Sequence, residues 1–299
     1  MTELLRIAPE VSQALHERGP VVALETTLIA HGFPPGVGVE VGLEAEASVR
    51  SKGAVPATVG VLDGAIVVGL GEGELGRFGD VGPEARKAGP RDLAACVAQS
   101  AIGATTVGGT LVACRAAGIR FMGTGGIGGV HRGFAERPDV SADLAELART
   151  RALVVSSGVK SLLDVPGTAE LLETLGVPSL GFRTDTLPRF YGSGGGPPVS
   201  ARVDEPAQAA RIARTHWELG GAALLLGRVA EQVIDDAEAL IEEALEAATR
   251  GGVTGQEVTP FVLSFLHERS GGRTLAANRD LIVANAGLAA EVAVAFAAS

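Results

Sequence analysis

The sequence predicts an α/β protein: a three-layer α/β/α sandwich with a mixed central sheet and a helical C-terminus. Three observations carry that expectation. Short buried-type apolar runs alternate with helical patterns along most of the 299 residues. Glycine is abundant (42 residues) and aromatics are scarce (4%), which suits tight strand-to-helix turns in a core packed from Ala, Val and Leu. The stretch ATVGVLDGAIVVGL alternates around Asp63 and Gly64, a two-residue hairpin signal that makes the sheet mixed rather than purely parallel.

The elements follow in order. A first helix is expected over residues 4–18, stopped by Gly19 and Pro20. VVALE is a short buried strand ending on Glu25, and after TTLIAHGFPPGVG a helix of small residues and glutamates runs to about Ser51. Beyond the hairpin, PRDLAACVAQSAIG reads as a helix, ATTV as a strand end, GTLVACRAAG as a helix and IRFMG as a strand. SADLAELART, ALVVSSG, TAELLETLGV and PSLGF continue the alternation of helix and strand. YGSGGGPPVSARV is the most linker-like segment and is expected to be a mobile surface loop. Then come the helix AQAARIARTHWELG, the strand AALLLG and a long helix over about 229–250. Two more helices, TGQEVTPFVLSFLHERSGG and TLAANRDLIVANAGLAAEVAVAFAA, complete the chain. There is no repeat of fixed period and no charge-rich or Pro-rich linker between halves, so a single domain over 1–299 is expected.

Composition bounds the function. A formal charge of −10 argues against a nucleic-acid-binding surface, so any anion must be held locally, by backbone N–H groups, a lysine or a metal. Cys96 and Cys114 both fall in apolar helical patterns and read as buried thiols, without disulfide or metal spacing. The N-terminus MTELLRIAPE does not resemble a signal peptide, and no apolar run approaches a membrane span of about 20 residues. A cytoplasmic protein without a membrane partner is the expectation.

Four features carry chemistry. GTGGIGGVHRG (123–133) formally contains G-x-G-x-x-G, yet a dinucleotide-binding turn must open directly into a helix, and VHRGFAERPD does not. Six glycines in eleven residues exceed what a tight turn needs, and a run of backbone N–H groups suited to an anion is the favoured reading. In RPDVSADL, Ser141 suits an N-cap with Asp143 in the first turn of the helix. Asp139 and Asp143, beside His131, also suit a hard divalent ion. Glu25 ends a buried strand, where ligands commonly bind in α/β sheets, and burial would raise its pKa into a usable range. Hydrogen bonding to the amides of Thr26 and Thr27 is an equally good account of it. Finally, the chain has three lysines among 25 basic residues. Lys160 follows the buried strand ALVVSSG, and an amine whose pKa burial can lower is something arginine cannot supply, so Lys160 is a candidate imine-forming nucleophile. Lys87 is a second candidate, suited to gripping a phosphate, whereas Lys52 reads as an ordinary helix-end cation.

Taken together, ALETT…HG, GAVPATVGVLDG, K-x-x-x-RDL, GATTVGGT, GTGGIGGVHRG, DVSADL, SSGVKSLLD and TPF…L…N resemble the pseudouridine-5′-phosphate glycosidases, the indigoidine-synthase-A-like family, over nearly the whole chain. The resemblance implies the α/β/α fold, a homotrimer, and reversible cleavage of the C–C glycosidic bond of pseudouridine 5′-phosphate to uracil and ribose 5-phosphate. It also implies a divalent metal, usually Mn²⁺, and a lysine adduct at C1′ of the ring-opened ribose. Carried over by motif, Lys160 is the nucleophile, Glu25 the proton donor and Asp139 the metal ligand. Lys87, Thr106, Val107, Ser141, Ala142 and Asp143 match substrate contacts, and His131 and Asn278 further site residues.

The chain departs from the family pattern in HGFPPGVG, which lacks a Tyr and an Asn, in GRVAEQ, in YGSGGGPP, and in ANA near the C-terminus. Two other readings stand beside the first: a related lysine-imine lyase acting on another sugar phosphate, and a catalytically silent paralogue that binds such a ligand.

Overall fold

The computed structural model describes residues 4–299 except 35, 137, 193–194, 235 and 254–257. In chain order the N-terminal half comprises β1 (Leu5–Ile7), α1 (Pro9–His16), β2 (Val21–Glu25), α2 (Thr27–His31), α3 (Val37–Ser51), β3 (Val55–Leu62), β4 (Ala65–Val68), α4 (Glu72–Val81), β5 (Arg86–Ala88), α5 (Leu93–Ala98), β6 (Gly103–Thr105), α6 (Val107–Ala117) and β7 (Phe121–Gly123). The remainder comprises β8 (Val130–His131), α7 (Ala142–Leu147), β9 (Leu153–Ser156), β10 (Leu163–Asp164), α8 (Val165–Thr174), β11 (Ser179–Phe182), β12 (Ala201–Val203), α9 (Pro206–Glu218), β13 (Leu224–Arg228), α10 (Ala237–Arg250), α11 (Val258–Arg269) and α12 (Arg273–Ala297).

The main path of the sheet runs β1-β4-β3-β2-β7-β9-β13-β11-β12, with β6 pairing to β3 and β5. Only β3–β4 and β3–β6 are antiparallel among the described pairs of this sheet, so it is mixed as expected. The β3–β4 hairpin turns on Asp63 (φ 52°) and Gly64 (φ 78°), the two positive φ values that a type I′ turn demands. The central strands β2 and β9 are buried along their whole length, which explains why VVALE and LVVS read as continuous rather than alternating apolar runs.

On one face α12 packs across β2, β7 and β9, flanked by α3 and α9; α6 and α7 pack together on the other. Phe121 of β7, Trp217 of α9 and Phe296 of α12 meet edge to face, with Phe121–Phe296 centroids 5.3 Å apart. Such pairs add about 0.5–1.5 kcal/mol beyond area burial. By length and composition α12 could cross a membrane, contrary to the expectation that no run would, but 56% of its most apolar window is buried inside the protein. It is apolar because sheet and helices surround it.

Three further expectations give way. Residues 4–18 are not one helix: Leu4 O accepts from Ile66 N and Ala8 N donates to Val68 O, so 5–7 form a strand at the sheet edge. Pro9 then opens α1 at a position where its missing N–H costs nothing. The helix expected over 229–250 begins only at Ala237; before it, Ile234 N donates to the carbonyl of Tyr191. The segment YGSGGGPPVSARV is not simply a surface loop: Tyr191 is 2% exposed, and 201–203 add β12 to the sheet. Its residues 193–194, the middle of the HGFPPGVG motif at 35, and the start of TGQEVTPF at 254–257 lie outside the described residues. Cys96 and Cys114 are buried, unpaired thiols in α5 and α6, and burial pushes Cys114 up to about 12.

Candidate active site

The parallel strands β2, β7 and β9 end side by side, and the carboxyl ends of β2 and β9 lead to Glu25 and Lys160. β2 ends on Glu25. Just beyond it, Thr26 donates to Val59 O (2.8 Å) and accepts from Thr105 N (2.8 Å), fixing the chain at this corner. The Glu25 side chain is 3% exposed and accepts from the hydroxyls of Thr27 and of Thr124, the residue after β7. These hydroxyls, rather than the amides, are its partners. Burial raises its pKa above the ordinary carboxylate value; the positive charge of Lys160 and the two hydroxyls oppose that without cancelling it.

β9 runs out through Ser156, Ser157, Gly158 and Val159 to Lys160. Gly158 is obligatory: its φ is +82°, and a Cβ there would lie 2.0 Å from Pro188 O. Lys160 N donates to Ile127 O (3.1 Å) and Ile127 N to Gly158 O (3.0 Å), so the lysine segment is stitched to the glycine loop. From the opposite side, Asn285 of α12 donates to Thr124 O (2.9 Å) and Ser157 Oγ (3.1 Å), clamping the ends of β7 and β9 together. The side chain of Lys160 is charge-coupled to both Glu25 and His131.

Much of the glycine loop is committed to the protein itself rather than open to an anion. The N–H groups of Thr124, Ile127, Gly128, Val130 and His131 already have partners within the protein. Among the loop's glycines only Gly133 has positive φ. The others permit close approach: a Cβ at Gly123 would lie 2.8 Å from the Ala286 backbone, and one at Gly129 2.3 Å from Thr168 Oγ1. Asp143 is likewise absorbed by structure. It is 5% exposed, and its two oxygens accept from Gly108 N (2.7 Å), in the first turn of α6, and Gly128 N (2.9 Å). A carboxylate at a helix N-terminus satisfies orphan donors and the helix dipole together. Ser141 caps α7 as expected, accepting from Asp143 N (3.2 Å).

These elements surround a cavity of about 380 Å³. Of the residues named from sequence, Lys87, Thr106, His131, Asp139, Ser141, Ala142, Asp143, Lys160 and Asn278 line it. Glu25 sits beneath the wall formed by Thr27, and Val107 is 1% exposed in the core, so at the start of α6 it is Thr106 that faces the cavity. Asn278 of α12 is 2% exposed, and its Oδ1 has no hydrogen-bond partner among the described residues. An acceptor buried in a cavity wall without a donor fits a ligand N–H or O–H. The hydroxyl of Tyr191, also in the wall, is in the same condition.

His131 N donates to Asp139 O (3.0 Å), and its ring Nδ1 lies 4.0 Å from an Asp139 carboxylate oxygen. Burial lowers the His131 pKa; Asp139 opposes this, and Lys87 and Lys160 add to it. Among the described residues no group of three or more His, Cys, Asp or Glu side chains could hold a metal. One partly exposed carboxylate, Asp139, beside a cavity with a lysine pair is a thin donor set. It fits a hard ion that keeps most of its water and shares a substrate phosphate, and it does not fit a closed structural site.

Sequence reasoning missed Thr124, Asn285, Phe190 and Tyr191, and also the wall that α10 and α11 build with Ile241, Pro260, Val262, Leu263 and Leu266. Of these, Thr124, Tyr191, Pro260 and Asn285 fall within the quoted stretches GTGGIGGVHRG, YGSGGGPP, TPF…L…N and ANA, but nothing in those stretches singled them out as site residues.

Comparison with known proteins agrees with this arrangement. The profile described as indigoidine synthase A like protein matches residues 10–295. The chain is 44% identical to the pseudouridine-5′-phosphate glycosidase of Caldanaerobacter subterraneus subsp. tengcongensis, covering 98% of this chain and 97% of that one. It is 45% identical to the protein of the same name from Paracoccus denitrificans, over 99% and 100%. Among solved structures, the prealnumycin C-glycosynthase AlnA in complex with ribulose 5-phosphate superposes with a TM-score of 0.90 at 40% identity, covering 99% and 98%. An indigoidine synthase A-like protein from Thermotoga maritima gives 0.84 at 38%, over 97% and 96%. With the strand-end carboxylate and lysine in place and the match running nearly end to end, this chain belongs to the indigoidine synthase A-like family.

Proposed function

We propose that this protein cleaves, and in reverse forms, the C–C glycosidic bond of pseudouridine 5′-phosphate, interconverting it with uracil and ribose 5-phosphate. The observation that carries the reading is the buried, protonatable Glu25 at the end of β2, which feels the charge of Lys160 beyond the end of β9, one strand over across β7, with Lys160 lining the cavity and Glu25 just beneath its wall. The names of the relatives and the pentose phosphate bound by the C-glycosynthase support it.

A carbon leaving group has no basic oxygen to protonate, so the acid–base pair of ordinary glycosidases does not serve. As the C1′–O4′ bond opens, the Lys160 amine bonds to C1′; its lone pair then forms the C1′=N bond as the C1′–C5 bond breaks, Glu25 protonates C5 of the departing uracil, and water hydrolyses the imine to release ribose 5-phosphate. Burial keeps Glu25 protonated to higher pH than an exposed carboxylate, which is what this role requires. Lys87, with the polar wall around Thr106 and Ser141, holds the phosphate. Asp139 would hold a divalent ion, most naturally Mn²⁺, that offsets phosphate charge. Assembly as a cytoplasmic homotrimer is part of the proposal and rests on the resemblance alone.

The test is turnover of pseudouridine 5′-phosphate with Mn²⁺ supplied, followed by uracil release, together with borohydride trapping of ribose 5-phosphate read by intact mass. Absence of uracil turnover in both directions would sink the reading. An adduct in wild type that is lost in Lys160→Ala identifies the nucleophile; light scattering of the same sample reads the oligomer.

A further inference from the structure

The glycine-rich stretch GTGGIGGVHRG holds an arginine that the proposed chemistry does not use. Arg132 follows β8 directly, and β8 pairs antiparallel with β10 in a register that sets His131 against Leu163. This lays Arg132 beside the turn that leaves Lys160. Its Nη2 donates to Ser161 O (2.8 Å), the carbonyl of the residue after Lys160, and to Glu238 Oε1 (2.7 Å) in the first turn of α10. One nitrogen therefore joins the lysine turn to the helical wall.

The turn depends on that bond. Lys160 N donates to Ile127 O (3.1 Å) and Leu163 N to Lys160 O (3.0 Å), so its two ends are fixed. Between them, Arg132 is the only side chain among the described residues that hydrogen-bonds the main chain. A second cavity, of about 310 Å³, borders the turn; Arg132, Asp164, Arg189 and Glu238 line it, and it shares Ser161 and Leu163 with the main one. Bordered by two cavities, the turn lacks the close packing that fixes the rest of the core, and a charge-assisted hydrogen bond supplies the constraint.

α10 is also sparsely tied. It packs chiefly against α11. Just before it, Ile234 N donates to Tyr191 O (3.1 Å), and Arg273 of α12 pairs with Asp236 (2.8 Å). Ile241, less than one helical turn beyond Glu238, lines the main cavity. An exposed ion pair contributes little by itself. This one matters because the same nitrogen also holds Ser161.

We propose that Arg132 is a positioning residue for the reaction: through the Ser161 carbonyl it sets how the Lys160 amine approaches C1′, and through Glu238 it seats α10 against the main cavity. The proposal rests on the lysine-adduct reading. Arg132 lines the second cavity and not the main one, so it acts through the two residues it holds. A planar guanidinium suits this double duty, because its donors are pre-organised. The two arms separate in kinetics. A misdirected amine slows adduct formation, whereas a loosened wall weakens binding.

The experiment times borohydride trapping of the ribose 5-phosphate adduct by intact mass. In parallel it measures uracil release from pseudouridine 5′-phosphate with Mn²⁺ present. The proteins are wild type, Arg132→Ala, Arg132→Lys, Glu238→Gln and the Arg132→Ala/Glu238→Gln double variant. Arg132→Ala should lower the adduct rate and kcat about tenfold. Millimolar guanidinium chloride, far below denaturing concentration, should enter the second cavity and restore part of that rate, without speeding wild type. Arg132→Lys should fall between the two. Glu238→Gln should raise KM about threefold with a smaller fall in kcat. In the double variant KM should rise no further than in Arg132→Ala, since both changes remove one interaction. An unchanged adduct rate in Arg132→Ala overturns the proposal. So does a slow Arg132→Ala that neither guanidinium nor the lysine substitution improves, which is the pattern of a merely structural loss. A KM unmoved by Glu238→Gln overturns it whether or not Arg132→Ala folds. Each of these outcomes, with an adduct trapped in wild type, leaves the lysine reading standing; no adduct in wild type overturns both.

Discussion

On one side of the cavity, β2, β7 and β9 end in a corner held by main-chain hydrogen bonds, by Asn285 and by Thr26; on the other, α10 and α11 pack chiefly against each other and, among the described residues, line the cavity with Ile241, Pro260, Val262, Leu263 and Leu266. The sheet side leaves the backbone around Glu25 and Lys160 little freedom, since the N–H groups of Thr105, Thr124, Ile127, Ser157 and Lys160 have fixed partners. The helical side is held by side-chain packing, which tolerates volume-conserving exchange. The proposed chemistry therefore sits where the backbone is over-determined, and the apolar side chains of the helical wall can be altered without moving Lys160 or Glu25.

That contrast can be broken by substitution. The largest expected effect is at the sheet side: Lys160→Ala abolishes both turnover and the trapped adduct, and Glu25→Gln lowers kcat by about 10²–10⁴-fold while the adduct still forms. Steady-state kinetics with intact mass spectrometry read both, and a Glu25→Gln enzyme of normal rate would refute the acid role. Next, Asp143→Ala leaves Gly108 N–H and Gly128 N–H unpaired and should cost about 3 kcal/mol, seen as a lower urea midpoint. On the helical side, Leu263→Ala should cost about 1 kcal/mol of binding, a roughly fivefold rise in KM with kcat changed less than that. An equal fall in kcat would erase the distinction between the two walls.

Thr124→Val sharpens the electrostatics. It removes a hydroxyl that holds the Glu25 pKa down, so the pKa climbs further and bond cleavage persists to higher pH in a pH–rate profile. The sign for stability is the reverse. Because the folded-state pKa lies above the unfolded value, the contribution of Glu25 is full below about pH 4.3 and falls as pH rises toward the folded pKa. The valine variant should extend that decline upward. The smallest effect is Gly64→Ala, about 1 kcal/mol from the positive φ of the hairpin turn, with kcat unchanged.

What sequence alone revealed follows the range of the interactions. The strand-end positions of Glu25 and Lys160 were legible because a charged residue at the end of a buried run is a local signal, and lysine is rare here. The hairpin at Asp63 was legible because its turn chemistry is contained in two residues. The edge strand 5–7 was not, since it exists only through pairing with β4, some 60 residues away. The glycine loop was read as an anion nest because spacing cannot distinguish a glycine needed for φ from one needed for close approach. Asp143 was placed in its own helix correctly, but the donors it satisfies belong to α6 and to the loop, which only the assembled fold brings together. The apolar wall of α10 and α11 carries no chemical signature and became visible only as one side of a cavity.

α12 has a consequence for how the molecule is made. It is the final element in chain order, yet it covers the middle of the sheet and clamps the ends of β7 and β9 through Asn285. On the ribosome, chains emerge from the N-terminus at about 5–20 residues per second. The strands that lead to Glu25 and Lys160 are therefore synthesised well before the helix that seals them. Until then the nascent chain shows a broad aliphatic sheet face to the cell, and its dependence on chaperones should be greatest in the seconds before α12 is released.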